Sequence, residues 1–198
     1  MIKNISMDHK WYYRYRIHTL KSSSLCKNFP ELNKYLEETF AKRPDHYFKE
    51  GMSGSKLNFN LNLDVHNLKA HEICELAKNA LSIDTKKTAH TKVQLFLLEN
   101  DNKTIASEVP VWIHPNELEI KKINEVLTGH IDLLRIDNNK IWVWDYKPNA
   151  SQEKYASTQL YFYTLMLSKR TSIPLENFRC GYFDEHNAFV FMPKLEGL

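Results

Sequence analysis

The sequence has few cysteines and no long apolar run. Its three cysteines, Cys26, Cys74 and Cys180, are scattered along the chain, so neither a disulfide framework nor a zinc knuckle is indicated and a reducing compartment is the natural setting. No apolar stretch approaches the roughly 18 residues that a membrane span requires, and the N-terminus lacks the apolar core of a signal peptide. We expect a soluble, cytoplasmic protein without a membrane partner.

The chain also lacks a strong charge of either sign. Its 27 Lys and Arg residues against 24 Asp and Glu residues give a formal net charge of +3. This charge is compatible with a polyanionic partner but too weak to indicate one, so any basic surface would have to be local. The 198 residues, 42% of them hydrophobic, suffice for a sizeable core within about one domain.

The strongest local pattern lies between residues 129 and 147. Two runs of apolar and β-branched residues, 129–136 and 141–146, flank the turn composition Asp-Asn-Asn-Lys. This pattern predicts a β-hairpin in which Asp137 lies opposite Lys140. One face of this hairpin is expected to be a packing surface with an arginine at its edge: Ile131, Leu133 and Arg135 against Trp142, Trp144 and Tyr146.

The same register brings two carboxylates together at the open end of the hairpin. Asp132 falls opposite Asp145, and His130 falls opposite Lys147. Opposed side chains have Cβ atoms roughly 5 Å apart, so the two like charges repel unless a cation lies between them. Lys147 projects from the same face as Asp145, about 6 to 7 Å further along the strand.

This set of residue types suits phosphodiester hydrolysis. Carboxylate oxygens hold Mg²⁺ while leaving it waters, and the metal acidifies an attacking water. Lys147 would orient that water or steady the developing charge. The plainer alternative is that Asp132 and Asp145 are turn-flanking surface residues and that Lys147 is a solvated strand end.

These residues resemble the motifs of a nuclease superfamily. Gly-His-Ile-Asp at 129–132 and Asp-Tyr-Lys at 145–147 resemble the GxxD and (D/E)xK motifs of the PD-(D/E)xK superfamily, in particular its RecB-like branch of DNA-processing nucleases. That branch also places a QxxxY motif on the next helix, where residues 159–163 match it. The resemblance implies an α/β, restriction-endonuclease-like core with a mixed, twisted sheet flanked by helices.

The resemblance also implies a metal site for Mg²⁺ or Mn²⁺. A histidine on the helix before the sheet is the branch's usual extra ligand, which points to His90, with His71 as its competitor. A glutamate ahead of the GxxD strand lies near the metal, and Glu108, in an otherwise apolar strand, matches it; an edge-strand charge is the alternative. The implied ligands are His90, Glu108, Asp132, Asp145 and the backbone carbonyl of Tyr146. Asp132, Asp145, Glu108 and Lys147 would be catalytic.

The function implied is metal-dependent hydrolysis of DNA. Gln159 and Tyr163, four residues apart on one helix face, would contact the DNA backbone, and Tyr155 would extend that face. A polar residue beside a core tyrosine is the alternative. Because the histidine-containing branch leans toward exonucleases, we expect an exonuclease. Some relatives hold an iron-sulfur cluster with four cysteines, and three cysteines predict none here.

Two other functions remain open from the sequence. The first is a nuclease-like module that binds DNA within a larger complex without cleaving it, and the second is a phosphoesterase acting on RNA or small nucleotides. The sequence does not indicate the oligomeric state.

The rest of the chain is predicted as scaffold. Residues 1–65 are expected to form an accessory segment, and 66–198 the nuclease core. Aromatic and basic residues interleave in residues 1–27, which fits either an amphipathic packing segment or a surface that stacks on single-stranded nucleic acid: Lys10, Trp11, Tyr12, Tyr13, Arg14, Tyr15 and Arg16. Strict alternation of apolar and polar residues over 57–65 predicts a strand with one wet face.

Periodicity and turn residues predict the remaining elements. Helices are expected over 28–43, over 68–81, from a cap at Asp84 to 98, and from caps at Asn149 and Ser151 to 169. Strands are expected over 104–113, 178–183 and 188–192, with Pro110 suggesting an edge or a strand end. The stretch 116–127, around Ile120, could be a short helix or an irregular excursion.

Overall fold

A computed structural model describes residues 1–10, 12–42, 44–118 and 123–194. Three residues that the sequence analysis named or included lie outside these ranges: Trp11 of the N-terminal segment, Arg43 of the first predicted helix and Ile120 of the ambiguous stretch. Within them, nine strands form one sheet in the order β1-β2-β5-β6-β7-β8-β9-β4, with β3 beside β6. The strands are β1 (Ile2–Asp8), β2 (Tyr12–His18), β3 (Met52–Ser53), β4 (His66–Lys69), β5 (Thr104–Ile113), β6 (Leu127–Asp137), β7 (Lys140–Tyr146), β8 (Phe178–Phe183) and β9 (Asn187–Phe191).

Helices cover both faces of this sheet. Leu133 and Trp144 pack in one apolar cluster with α4 (Glu72–Ser82) and α5 (Ala89–Asn100). Their sequence neighbours Leu134 and Val143 pack in a second cluster with α2 (Pro30–Lys42) and α6 (Ala156–Thr171). The architecture is the α/β fold that the sequence predicts, with a large, mostly antiparallel twisted sheet flanked by helices. The helices of the described residues are α1 (Thr19–Leu25), α2 (Pro30–Lys42), α3 (Asp45–Glu50), α4 (Glu72–Ser82), α5 (Ala89–Asn100) and α6 (Ala156–Thr171).

The central hairpin has the predicted register. β6 pairs with β7 from Asp137–Lys140 to Leu133–Trp144. Asn138 and Asn139 form the two-residue turn with φ values of 49° and 55°, which is the left-handed geometry that fits a tight hairpin. The β6–β7 ladder ends at Leu133–Trp144, one residue short of Asp132. Neither the predicted Asp132–Asp145 pair nor the predicted His130–Lys147 pair is therefore part of this ladder.

The alternation of side chains along β6 breaks at the candidate site. Leu133 faces α4 and α5, but Ile131 packs in the opposite cluster, so the prediction that both share one face is wrong. On the neighbouring strand β5, Glu108 lies between the Ser107–Leu133 and Val109–Ile131 pairs. Its φ of 54° is rare for a residue with a side chain, and such strain concentrates at functional sites.

Residues 57–65 do not form the predicted strand. Their burial alternates as the sequence suggests, because Leu57 is buried and the following apolar residues pack partly against the core. The backbone, however, pairs with a helix side chain: Thr158 Oγ1 accepts from Leu61 N–H at 3.2 Å and donates to Phe59 C=O at 2.8 Å. Alternation of apolar and polar residues predicts one buried and one exposed face. It does not show that a neighbouring strand is present to form a sheet.

Several predicted boundaries also move. α5 begins at Ala89 because Thr88, not Asp84, caps it by accepting from the Thr91 amide. α4 begins at Glu72, after strand β4, and α6 begins at Ala156, after a short 3₁₀ turn (Ala150–Gln152). Pro110 lies inside β5, where it is tolerated because the β2–β5 pairing covers only Ser107 and Ala106.

The first 65 residues share the sheet and the core with the rest of the chain. β1 and β2 form a hairpin that joins β5, and four of its side chains are buried in the larger apolar cluster: Ile5, Met7, Tyr15 and Ile17. The division at residue 65 stays a prediction. Within the described residues, no helix combines the length and apolar character that crossing a membrane requires.

Candidate active site

Three elements bring a histidine and two carboxylates together. His90 lies in the first turn of α5, Glu108 at the irregular point of β5 and Asp132 beside it on β6. One ligand atom from each lies within 4.8 Å of the others, a spacing that could hold a metal ion. The cluster depends on three separate segments, so only the folded chain creates it.

Asp132 is the centre of this cluster. One of its oxygens, Oδ2, lies 2.8 Å from His90 Nε2 and accepts a hydrogen bond from the Tyr146 amide at 3.0 Å. The side chain of Glu108 is fixed from α5, because Gln94 Nε2 donates to Glu108 Oε1 at 2.6 Å. Both carboxylates are therefore oriented before any ligand binds.

Asp145 and Lys147 form the second half of the site, on the strand next to Asp132. Lys147 Nζ lies 2.9 Å from Asp145 Oδ2 and donates to Gln159 Oε1 at 3.2 Å. Gln159 in turn donates from Nε2 to the Tyr163 hydroxyl at 3.1 Å. The lysine is thereby held between an acid of β7 and an amide of α6.

A steric contact joins two of the sequence motifs. The Tyr163 ring packs directly on Gly129: a Cβ atom added to this glycine would lie 2.1 Å from Cε1 of the ring. A Cβ at Gly54 would also come within 2.6 Å of the same atom. Tyr163 is only 4% exposed, so it supports Gln159 from below rather than facing solvent.

The pKa values of the acids reflect crowding of negative charge. Burial raises the pKa of Asp132 well above its usual range, and the adjacent charge of Asp145 raises it further. Burial also raises the pKa of Glu108. Burial by itself would lower the pKa of His90, but the charge and hydrogen bond of Asp132 raise it to about 9. For Lys147, burial lowers the pKa, and Asp145 outweighs it to give a net increase.

The residues present fit a divalent cation. Asp145 Oδ2 is buried, and although it touches the lysine ammonium, it accepts no well-aligned hydrogen bond within the described part of the chain. The contact with one ammonium leaves lone pairs of this carboxylate for a further ligand. One imidazole with several carboxylates is a ligand set suited to ions of the Mg²⁺ and Mn²⁺ class.

The other predicted site residues lie around this cluster. Tyr146 gives its amide to Asp132, and its ring meets His90 edge-on with centroids 5.8 Å apart; its carbonyl as a ligand stays a prediction. Tyr155 is 38% exposed at the N-cap of α6. His71 does not lie in the cluster, because its Nδ1 caps α4 by accepting from the Ile73 amide.

Sequence reasoning missed two kinds of residue near the site. The sequence analysis gave Gln94 no role, although it follows His90 by four residues and so shares its helix face. His9, Tyr13 and His130 form an aromatic group beside the site that depends on contacts across the sheet. His130 stands inside the GxxD motif, which was the only local signal.

Three comparisons with known proteins show what this chain is similar to. A sequence model described as PD-(D/E)XK nuclease superfamily matches residues 20–195. A comparison with curated proteins finds no match. Among solved structures, the crystal structure of SSO0001 is similar with 14% identity and a TM-score of 0.41, over 84% of this chain and 78% of that chain. A likeness at that level carries no argument about function.

Proposed function

Because the chain belongs to the PD-(D/E)XK nuclease superfamily, we propose that it is a metal-dependent deoxyribonuclease of the RecB-like type that degrades DNA from an end. The observation that carries the proposal is the convergence of His90, Glu108 and Asp132, with ligand atoms within 4.8 Å of one another. Lys147 adjoins this cluster through Asp145. In metal-assisted hydrolysis of a phosphodiester, the cation activates the attacking water, and a fixed lysine beside it can neutralise developing charge. The arrangement of these side chains supports that chemistry.

The proposed ligands of Mg²⁺ or Mn²⁺ are the side chains of His90, Glu108, Asp132 and Asp145, with the Tyr146 carbonyl. When bound, such an ion neutralises phosphate charge and lowers the pKa of a coordinated water.

The chain's own residues position the reaction. The Lys147 ammonium, held by Asp145 and Gln159, is placed to orient a water or to neutralise charge that develops on the phosphate. Gln94 and the Tyr146 amide fix Glu108 and Asp132 in place. Preorganised groups of this kind act without reorganising during the reaction.

The RecB-like assignment is supported by the helix after the lysine strand. Gln159 and Tyr163 of the QxxxY motif lie on α6, and Gln159 reaches Lys147 at 3.2 Å. Since Tyr163 is buried, the proposed DNA contacts fall to Gln159 and the exposed Tyr155, and Tyr163 holds Gln159.

The test uses purified protein with linear single-stranded, linear double-stranded and covalently closed circular DNA, each with Mg²⁺, Mn²⁺ or EDTA. An exonuclease degrades the linear substrates, spares the closed circle and is inactive in EDTA. Cleavage of the closed circle would reassign the activity as endonucleolytic. DNA binding without any cleavage would favour the non-cleaving binding module.

Two variants tie the activity to the site. Asp145→Ala and Lys147→Ala should each reduce cleavage at least about a hundredfold, because the first removes a proposed metal ligand and the second removes a group that neutralises developing charge. Lys140→Ala, at the other end of the same strand, is the matched control and should retain full activity. Activity that survives both site substitutions rejects the assignment.

A further inference from the structure

The N-terminal hairpin brings a tyrosine to the rim of the candidate site. β2 pairs with β5 through Arg16–Ser107 and Ile17–Ala106. This pairing ends before Glu108, whose φ of 54° interrupts β5. Tyr13 lies three residues before Arg16 on β2, on the side of the sheet where the candidate site lies.

A stacking contact holds this tyrosine. Pro110 pairs with His130 on β6, and the Tyr13 ring stacks on the His130 ring with centroids 3.6 Å apart and an interplanar angle of 10°. Tyr13 therefore spans from β2 to the strand that carries Asp132. It is half-buried, whereas the hydroxyl of Tyr15, two residues on, is buried and donates to the Leu36 carbonyl.

His130 is itself fixed by a chain of hydrogen bonds. Its Nε2 lies 2.7 Å from His9 Nδ1, and His9 Nε2 lies 2.8 Å from Asp45 Oδ1. Because the Asp45 carboxylate accepts the proton on His9 Nε2, a neutral His9 offers Nδ1 as the acceptor, and His130 Nε2 donates to it. Phe48 stacks on His9 at 3.8 Å and completes the packing.

We propose that Tyr13 is a further substrate-contacting residue of this site, whose hydroxyl donates a hydrogen bond to a phosphate oxygen of the bound DNA strand. Asp45, His9 and His130 are positioning residues that hold the Tyr13 ring. The inference rests on the proposed function, since it takes DNA as the ligand. Burial raises the pKa of Tyr13, and the charges of Glu108 and Asp132 raise it further, so the hydroxyl keeps its proton at neutral pH.

The binding test removes only the hydroxyl. Tyr13→Phe and Tyr12→Phe are compared in an Asp145→Asn background, so that a fluorescent single-stranded oligonucleotide is bound but not cut. Tyr13→Phe should raise the Kd about tenfold, as expected for the loss of a hydrogen bond to a charged group. Tyr12, 86% exposed and adjacent in sequence, is the matched control and should leave the Kd unchanged. Equal Kd values for both variants overturn the proposal.

A double-mutant cycle tests the positioning residues. If His9 acts through Tyr13, adding His9→Ala to Tyr13→Phe should weaken DNA binding no further than Tyr13→Phe alone. If the two substitutions weaken DNA binding by factors that multiply in the double variant, the positioning role of His9 is overturned. Asp45→Asn replaces His9→Ala in the cycle if the latter variant does not fold.

The outcomes separate this inference from the proposed function. If the wild-type protein cleaves DNA and Tyr13→Phe binds it normally, only the role of Tyr13 fails. If the protein never cleaves DNA but Tyr13→Phe still weakens binding, the nuclease proposal fails and the Tyr13 contact stands. Absence of DNA binding by the wild-type protein refutes both.

Discussion

Strand β6 takes part in two charge clusters that differ in how their acids are neutralised. Toward the hairpin turn, Arg135 is 1% exposed and contacts Asp101 at 2.7 Å and Glu72 at 2.8 Å. Lys103 joins the cluster through Glu72 and Asp137. Burial raises the pKa of Glu72, but the hydrogen bonds from Lys103 and Arg135 outweigh it and bring the value to about 2. The pKa of Asp101 is likewise lowered, since Arg135 outweighs its burial.

Three residues away on the same strand, the acids are in the opposite condition. Asp132 and Glu108 have raised pKa values, because burial and neighbouring acids disfavour their charged forms. Glu108 receives a hydrogen bond from the neutral Gln94 rather than from a cation. In the first cluster, the buried Asp101 is paired with the positive charge of Arg135. In the second cluster, which we call the under-compensated cluster, the negative charges of Glu108, Asp132 and Asp145 are not fully matched by positive ones. This difference supports the proposal that a cation binds at the second cluster.

The largest expected effect on stability comes from removing the positive charge of Arg135 from the first cluster. Arg135→Met should lower the free energy of unfolding by about 3 to 5 kcal/mol, because it leaves the buried Asp101 without its partner. Urea denaturation measures this change. Arg14→Met, on an exposed part of β2, is the control and should stay near the wild type. A small loss for Arg135→Met would mean that the two clusters do not differ in their contribution to stability.

Adding a cation should stabilise the under-compensated cluster. Mn²⁺ at a hundred times its Kd should raise the free energy of unfolding by about 2.7 kcal/mol, since it binds only the folded chain. His90→Ala should lose most of this gain, and His71→Ala should keep it, because His71 caps α4 instead. Thermal melts with and without Mn²⁺ measure the effect. An equal gain in both variants contradicts the proposed ligand set.

The raised pKa of His90 predicts that metal binding depends on pH. With a pKa of about 9, His90 is protonated at pH 7, and its contribution to the stability of the metal-free chain is lost as pH rises toward 9. A metal ligand must be neutral, so binding releases this proton and the apparent affinity should rise about tenfold per pH unit between 7 and 9. Calorimetry in buffers of different ionisation enthalpy counts the protons. His90→Gln should release about one fewer.

The smallest expected effect tests the repulsion between the negative charges of the candidate site. Glu108→Gln keeps an oxygen to accept from Gln94 while removing one negative charge, so it should raise the stability of the metal-free chain by about 1 kcal/mol. The matched change Asp101→Asn should lower stability, because it weakens the contact with Arg135. Urea denaturation in EDTA compares the two. A loss of stability in both variants would show that Glu108 is compensated after all.

Local sequence signals predicted the elements whose geometry is set by nearby residues. The register of the central hairpin followed from the Asn138-Asn139 turn, and the bounds of β5 followed from its apolar run. Asp145 and Lys147, two residues apart and predicted to project from the same face, are in contact. By contrast, the cap of α5 was misplaced because both Asp84 and Thr88 are suitable capping residues, and only the Thr91 amide decides between them.

Contacts between distant segments could not be read from periodicity. The alternating residues 57–65 lie on α6 rather than in a sheet, and Tyr13 reaches His130 only because β2 joins β5. The choice between His90 and His71 as a neighbour of Asp132 likewise depends on how α4 and α5 pack. Motif spacing predicts which residue types form the site, but the packing of the helices and strands determines which residue of each type lies there.

The contact between Gly129 and the Tyr163 ring makes two sequence motifs interdependent. A methyl group at position 129 would occupy the space of that ring, so a larger residue there requires a smaller one at 163. Losing the ring would also release Gln159 and, through it, the ammonium of Lys147. Natural variants of this chain should therefore change the two positions together or leave both alone, and an engineer who mutates one must redesign the other.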